Sequence, residues 1–350
     1  MTDNKSLETN EKTSNLFAIT ASANYINQAL EEAREVDKQL KILQNYGNGI
    51  LLAATSMPSD EFNEMMLRKS PIFIRHISAF DEVVDINNNM TTQDIAALIM
   101  QHYRSIAENS KIAVQIRKAK GEYYFNPIDL KGEIDKILIE LGAETEIKAP
   151  DLILSILLDE EKCCIGMTPS NKNISSWSGG MVHYRKEDAD ISRAKFKLME
   201  AITVFDLDLS SIRTALDLGA APGGWTSVLL EKDIAVTAVD TGDMDPRLNK
   251  FRKFTYIKSN AAELELPEQN FDLLTSDISW NPKNTAVLVN RAAQFLKAGG
   301  YAIVTVKLMG EKVKRTIRET CEIYQEVFDI VAIKQLFHNR EEVTVLLRKR

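Results

Sequence analysis

The sequence predicts an α/β protein: two small α+β modules followed by a larger, doubly wound domain built on an open, mostly parallel sheet. Three observations carry this prediction. From residue 191 onward, short apolar runs alternate with helical periodicity, the pattern of repeated strand–helix–strand units. A glycine-rich turn at 219–224 follows the first of those runs and leads into a helical stretch. Before residue 191, two shorter sets of strands and helices flank the polar run Asn87-Asn88-Asn89, a natural linker.

At 350 residues the chain is long enough for two or three domains, each with its own core. Hydrophobic residues make up 44% and charged residues 27%, an ordinary globular composition. No apolar run approaches the roughly 18–20 residues of a membrane span. Residues 1–15 are polar and lack the basic-then-apolar layout of a signal peptide, so they read as a disordered tail on a cytoplasmic protein. The cysteines are Cys163, Cys164 and Cys321, with no C-x-x-C spacing, and the four histidines are scattered; neither a disulfide framework nor a metal site is expected. The net charge of −7 does not advertise a nucleic-acid binder, although a local basic face is enough for phosphate contacts. Two candidate faces exist: Arg247, Lys250, Arg252, Lys253 and Lys258, and Lys312, Lys314, Arg315 and Arg318. Each is equally readable as a solvated surface.

The first module, 16–88, reads as a strand at 16–21, a helix at 24–43, a strand at 49–54, a helix at 62–69 and mainly strand at 72–84. The second, 89–168, opens with Thr91 capping a helix whose apolar positions include Ile95, Leu98, Ile99 and Tyr103. A strand at 112–116 follows, then a helix from Pro127 that Gly142 ends, then strands at 152–158 and 162–167. Residues 169–190, rich in Ser, Asn and Gly, form a linker, and 191–350 is the third domain.

The turn Ala215-Leu216-Asp217-Leu218-Gly219-Ala220-Ala221-Pro222-Gly223-Gly224-Trp225-Thr226 narrows the chemistry furthest. Glycine lets the backbone bend sharply at the carboxyl edge of a strand, where open α/β sheets bind cofactors. A dinucleotide fingerprint would read G-x-G-x-x-G; this turn reads G-x-x-x-G-G with a proline inside, so it offers no usual pyrophosphate cradle. It suits an adenosyl cofactor without phosphates, S-adenosylmethionine, with Asp217, Gly219, Ala221, Pro222, Gly223, Gly224 and Trp225 as the contact candidates. The bland alternative is an α/β turn with no ligand. Asp240 ends the second strand some twenty residues on, placed for both ribose hydroxyls of the cofactor. Asn260 ends the third, where an adenine edge would lie, and Asp277 ends the fourth beside the same crevice. Asp277, Lys307 and Glu342 come from strand ends and Lys197 from the helix leading into the domain, so four charged groups meet one rim. Lysines at the edge of a buried sheet are poor structural choices because desolvating an ammonium is costly. A salt-bridge network is the structural alternative.

Three resemblances follow from these residues. Val114-Gln115-Ile116-Arg117, Asn126-Pro127, Pro150-Asp151 and Cys164-Ile165-Gly166 occur in an order that resembles the THUMP domain, an RNA-binding module, over about 92–168. The preceding segment resembles the ferredoxin-like module that often accompanies it. Ser192-Arg193-Ala194-Lys195-Phe196-Lys197-Leu198, the glycine turn, Asp277, Lys307 and Arg340-Glu341-Glu342-Val343 resemble the motifs of the FtsJ-like ribose 2′-O-methyltransferases, in the same order. The resemblance implies a Rossmann-fold (class I) domain, S-adenosylmethionine as cofactor without a metal, and a Lys-Asp-Lys-Glu catalytic tetrad at Lys197, Asp277, Lys307 and Glu342. It also implies a ribose in large-subunit ribosomal RNA, that of a cytidine, as target. It assigns no oligomeric state. Asn260 departs from the family's usual acid, and Ala194 lacks a hydroxyl that some relatives carry.

Rival chemistries are weaker on the residues. Amine methylation of guanine favours an Asn/Asp-Pro-Pro-Tyr run, and here Asp277-Ile278-Ser279-Trp280 stands instead. Cytosine C5 methylation needs a rim cysteine, whereas Cys321 falls in a helical pattern. Thiouridine synthesis needs S-G-G-x-D-S, which Ser178-Gly179-Gly180 begins and Met181-Val182-His183 does not continue. A non-catalytic ribosome-assembly factor on the same fold is the alternative from another class.

Overall fold

Alternating and fully apolar runs become strands of three sheets in the computed structural model, which describes residues 15–119, 122–188, 190–308 and 310–350. Apart from Asn15, the polar stretch read as a tail lies outside the described residues. The chain divides into two units, Met1–Met181 and Val182–Arg350.

In the first unit, β1 (Leu16–Ala21), α1 (Ile26–Val36), β2 (Lys41–Gly47), β3 (Ile50–Ala54), α2 (Ser59–Lys69) and β4 (Ile74–Phe80) form an antiparallel sheet in the order β2-β3-β1-β4. The expected helix at 24–43 is shorter, and β2 occupies its last residues. The cause is Asp37, which leaves the helix in an extended conformation. Its carboxylate accepts hydrogen bonds from the Gln39 and Ser56 amides and from the Thr55 and Ser56 hydroxyls. That tertiary clamp has no periodicity to betray it. β5 (Glu82–Asp85) pairs with β9 (Lys162–Pro169), so the strand expected at 72–84 breaks at Asp81 and its second part enters another sheet.

That second sheet, ordered β5-β9-β8-β6-β7, adds β6 (Lys111–Lys118), β7 (Glu144–Thr145) and β8 (Leu152–Leu158), with α3 (Thr92–Met100) and α4 (Pro127–Glu140) between strands. Thr91 and Asp94 close a capping box at the start of α3, and Asn126 caps α4, as their side-chain types favour. Ile95, Ile99, Ile112, Leu130, Ile134 and Leu154 form the core beneath.

The second unit begins with α5 (Lys195–Val204) and continues through β10 (Thr214–Leu218), α6 (Gly224–Glu231), β11 (Ala235–Asp240), β12 (Phe254–Lys258), β13 (Phe271–Ser276), α7 (Pro282–Ala292), β14 (Leu296–Lys307), α8 (Val313–Tyr324), β15 (Phe328–Lys334) and β16 (Glu342–Lys349). Its seven strands run β12-β11-β10-β13-β14-β16-β15, parallel except at β14–β16 and β15–β16. The central strands read as mainly apolar runs because helices cover both of their faces. The strand order reverses beside β10, which opens a crevice at the carboxyl ends of β10 and β13. Because β16 is antiparallel, its first residue, Glu342, sits at the same rim as the last residue of β14, Lys307, and the two are register partners. Among the described residues, no helix is long and apolar enough to cross a membrane.

Candidate active site

The crevice is built on Asp217, the next-to-last residue of β10. Its carboxylate is 1% exposed and accepts hydrogen bonds from Thr226 (2.6 Å) and Thr275 (2.8 Å). Burial pushes its pKa up to about 6, the two hydroxyls oppose that shift, and the charges of Asp277 and Asp240 add to it. The turn after β10 needs glycine twice. Gly219 has φ +71° and a Cβ there would lie 2.3 Å from Ile278 Cγ1; Gly223 has φ +113° and a Cβ would lie 2.4 Å from Leu248 Cδ1. Both glycines are therefore demanded by backbone conformation and by packing behind the turn. Asp240 braces the turn from the side: Oδ2 accepts from the Ala221 amide (2.9 Å) and Oδ1 from the Gly242 amide (2.7 Å). Trp225 is buried in α6 and donates its indole N–H to the Ala194 carbonyl (2.9 Å), tying the turn to the start of α5.

A cavity of about 210 Å³ opens between Gly219, Asp240, Asn260, Asp277 and Ser279. A smaller one of about 60 Å³ lies against Ser192, Ala221, Pro222, Gly224, Trp225 and Asp277. Neither lining contains a lysine or arginine, while both contain carboxylates. Such a donor set does not suit a pyrophosphate. It does suit a cationic sulfonium carrying an adenosine, so the residues present fit S-adenosylmethionine. Asn260 is only partly available, since its Oδ1 accepts from the Ala262 amide (3.1 Å).

Three of the four expected catalytic side chains form one ionic cluster. Lys197 Nζ lies 3.0 Å from both oxygens of Asp277 and 2.6 Å from Glu342 Oε1, and Thr305 donates to Asp277 Oδ1 at 2.9 Å. These side chains are only 12–18% exposed. Burial works to lower the pKa of Lys197, but Asp277 and Glu342 outweigh it and hold the ammonium above its usual range. Lys197 is thus a fixed cation. Lys307 is placed differently: its side chain is exposed, and it makes no ion pair among the described residues. It lines a cavity of about 800 Å³ together with Lys197, Glu342 and Ser279. Ser279 borders the cofactor-sized cavity as well, so the two spaces adjoin.

Thr305 and Glu200 are among the supports of this site that the sequence alone does not reveal. Thr305, two residues before Lys307 on β14, orients Asp277. Glu200, 1% exposed, lies one turn after Lys197 on α5, and its two oxygens accept the amides of Phe337 and His338 at 2.8 Å each. An acid on the buried face of an apolar helix was the available signal. The basic face at 247–258 proves largely neutralised: Arg247 pairs with Asp245, Lys253 with Asp233 and Lys258 with Asp243. On α8, Arg315 pairs with Glu319. Cys321 also lies on α8, and burial pushes its thiol up to about 11, away from nucleophilic use. Among the described residues, no group of His, Cys, Asp and Glu could hold a metal ion.

The mixed seven-stranded sheet, with an acidic, cation-free crevice at its switch point, matches the architecture of a class I methyltransferase domain. Residues 191–336 match the FtsJ-like methyltransferase family, a family of S-adenosylmethionine-dependent enzymes. The chain is 36% identical over 196 residues to the ribosomal RNA large subunit methyltransferase M of Saccharophagus degradans, covering 53% of this chain and 55% of the relative. It is 32% identical over 213 residues to the protein of that name from Edwardsiella ictaluri, covering 56% and 55%. With that of Pectobacterium carotovorum subsp. carotovorum it shares 31% identity over 237 residues, 63% of each. The chain thus spans between 55% and 63% of the length of these relatives.

Proposed function

We propose that the chain methylates a ribose 2′-hydroxyl of large-subunit ribosomal RNA, that of a cytidine, in the cytoplasm, with S-adenosylmethionine as donor. One observation carries this reading. A buried Lys197–Asp277–Glu342 cluster and the exposed ammonium of Lys307 line a cavity that adjoins the cofactor crevice. The names of the relatives support RNA of the large subunit as the substrate.

Gly219, Ala221, Asp240, Asn260 and Asp277 would hold the cofactor, which when bound supplies an electrophilic methyl on a positively charged sulfur. The chain's own task is to position the hydroxyl and dispose of its proton. Positioning of this kind is worth on the order of 7–11 kcal/mol of the barrier. Asp277 and Glu342 clamp Lys197, so that cation stays charged and still while the hydroxyl binds. Lys307, unclamped at the mouth, orients the hydroxyl; its amine in the deprotonated form, or a water that it holds, takes the proton as the new O–C bond forms at the expense of the methyl–sulfur bond. Residues 16–80 run β-α-β-β-α-β, an order that supports reading 16–88 as a ferredoxin-like module. With the THUMP-like module at 89–168, they grip the RNA by shape and phosphate contacts. The linker is 169–190.

Lys307→Ala is expected to lower methyl transfer to rRNA by about 100-fold or more while leaving S-adenosylmethionine affinity within about two-fold of wild type. Labelled-methyl incorporation and calorimetric titration check the two halves. Retained turnover overturns the assignment of Lys307.

A further inference from the structure

The 800 Å³ cavity is larger than a ribose needs, and one of its walls is aromatic. Phe196, Phe337 and His338 line it together with the charged groups. Behind them the rings pack on one another: Tyr184 lies parallel to Phe196 (5.8 Å, 6°), and His338 is 5.4 Å from Phe196 and 5.7 Å from Tyr184. Phe337 meets His338 edge-on at 5.1 Å. The wall is held firmly. Glu200 fixes the backbone of Phe337 and His338, the His338 ring hydrogen-bonds the Val182 carbonyl (3.2 Å), and Tyr184 hydrogen-bonds the Thr203 hydroxyl (3.1 Å).

Phe196 is buried, whereas Phe337 and His338 keep partial exposure on the cavity side. A hydrophobic core would have closed over them. Rigid, half-exposed rings beside a site for a hydroxyl are what a flat aromatic ligand needs, and the other lining groups say what is attached to it. Arg193, Arg340 and Lys186 are exposed at the same cavity, a cationic margin suited to a phosphodiester. A flat ring, a ribose hydroxyl and a phosphate together are a nucleotide.

We infer that Phe337 and His338 form a stacking platform for the base of the target nucleotide, which must be unpaired and turned out of its helix to reach it. This rests on the proposed function, since the tetrad is what places the ribose beside the platform. Stacking is indifferent to base identity because every base has a π-face. The platform therefore selects for an accessible nucleotide rather than for a particular base. It gives a physical reason why a paired ribose would be refused: its base cannot leave the stack without losing its neighbours.

The test uses the full chain and a short single-stranded RNA carrying one 2-aminopurine, whose fluorescence falls on stacking. Phe337→Leu keeps apolar bulk and removes the π-face; Phe337→Trp keeps the face. Wild type and Phe337→Trp are expected to quench the probe, and Phe337→Leu to lose the quench. In labelled-methyl assays on rRNA, Phe337→Leu should raise KM for RNA about ten-fold with unchanged affinity for S-adenosylmethionine, and Phe337→Trp should restore it. Equal quenching and equal KM for Phe337→Leu and wild type would overturn the platform, while leaving methyl transfer itself standing. A Phe337-dependent quench without any methyl transfer would keep the platform and sink the activity. Circular dichroism and cofactor titration of each variant separate loss of stacking from loss of fold.

Discussion

Asp217 sits where a carboxylate is costly, and its cost is measurable. Burial lifts its pKa from 3.8 to about 6, so between those values the folded protein binds a proton that the unfolded chain does not. Stability contributed by this group is therefore present at low pH and lost as pH rises toward 6. Relative to Asp217→Asn, wild type should lose about 2 kcal/mol between pH 4 and 6.5. Urea midpoints of both proteins across that range check it, and parallel curves contradict it. The residue types at Asp217, Asp240, Asp277 and Lys197 were legible because each falls at a strand end or helix start in a recognisable motif. Thr226, Thr275 and Thr305, which hold those carboxylates, were not. A threonine within a strand or helix reads as ordinary packing until a fold places its hydroxyl against an acid.

At the level of elements, α5 is the organiser of the rim. Lys197 and Glu200, three residues apart on one face, grip the 337–342 segment at two points, one through Glu342 and one through the Phe337 and His338 amides. Glu200→Gln keeps the shape but leaves only one acceptor for two buried amides. It is expected to cost about 1–3 kcal/mol of stability and to reduce methyl transfer with little change in cofactor affinity, as thermal unfolding and kinetics would show. An activity unaltered at equal stability contradicts the positioning role. The parallel strands of the second unit were readable as mainly apolar runs. β2 was not, since its residues are half-exposed edge positions that also fit a helix, and only the Asp37 clamp decides between them. β5 was merged with β4 for a related reason: both runs are apolar, and only pairing partners separate them.

Over the whole molecule, the proposed function divides along the two units. The first has its own cores and its own buried clamp: Glu32 of α1 accepts the amides of Ile72, Phe73 and Ile74 at the start of β4. Glu32→Ala would orphan those amides and destabilise that unit by about 3 kcal/mol or more. S-adenosylmethionine affinity should stay unchanged, because every residue assigned to the cofactor lies in the second unit; a coupled loss in calorimetry contradicts this division. The net charge of −7 and the pairing of Arg247, Lys253 and Lys258 with Asp245, Asp233 and Asp243 mean that the proposed RNA substrate would be met by local cationic groups rather than by a general field. The central claim is that the rim directs a methyl group to a ribose oxygen. Its most direct measurement is incubation of unmodified large-subunit rRNA with the protein and labelled S-adenosylmethionine, followed by digestion to nucleosides and mass spectrometry. The label is expected in 2′-O-methylcytidine at a single position; label on a base, or none in RNA while the cofactor binds, contradicts the account.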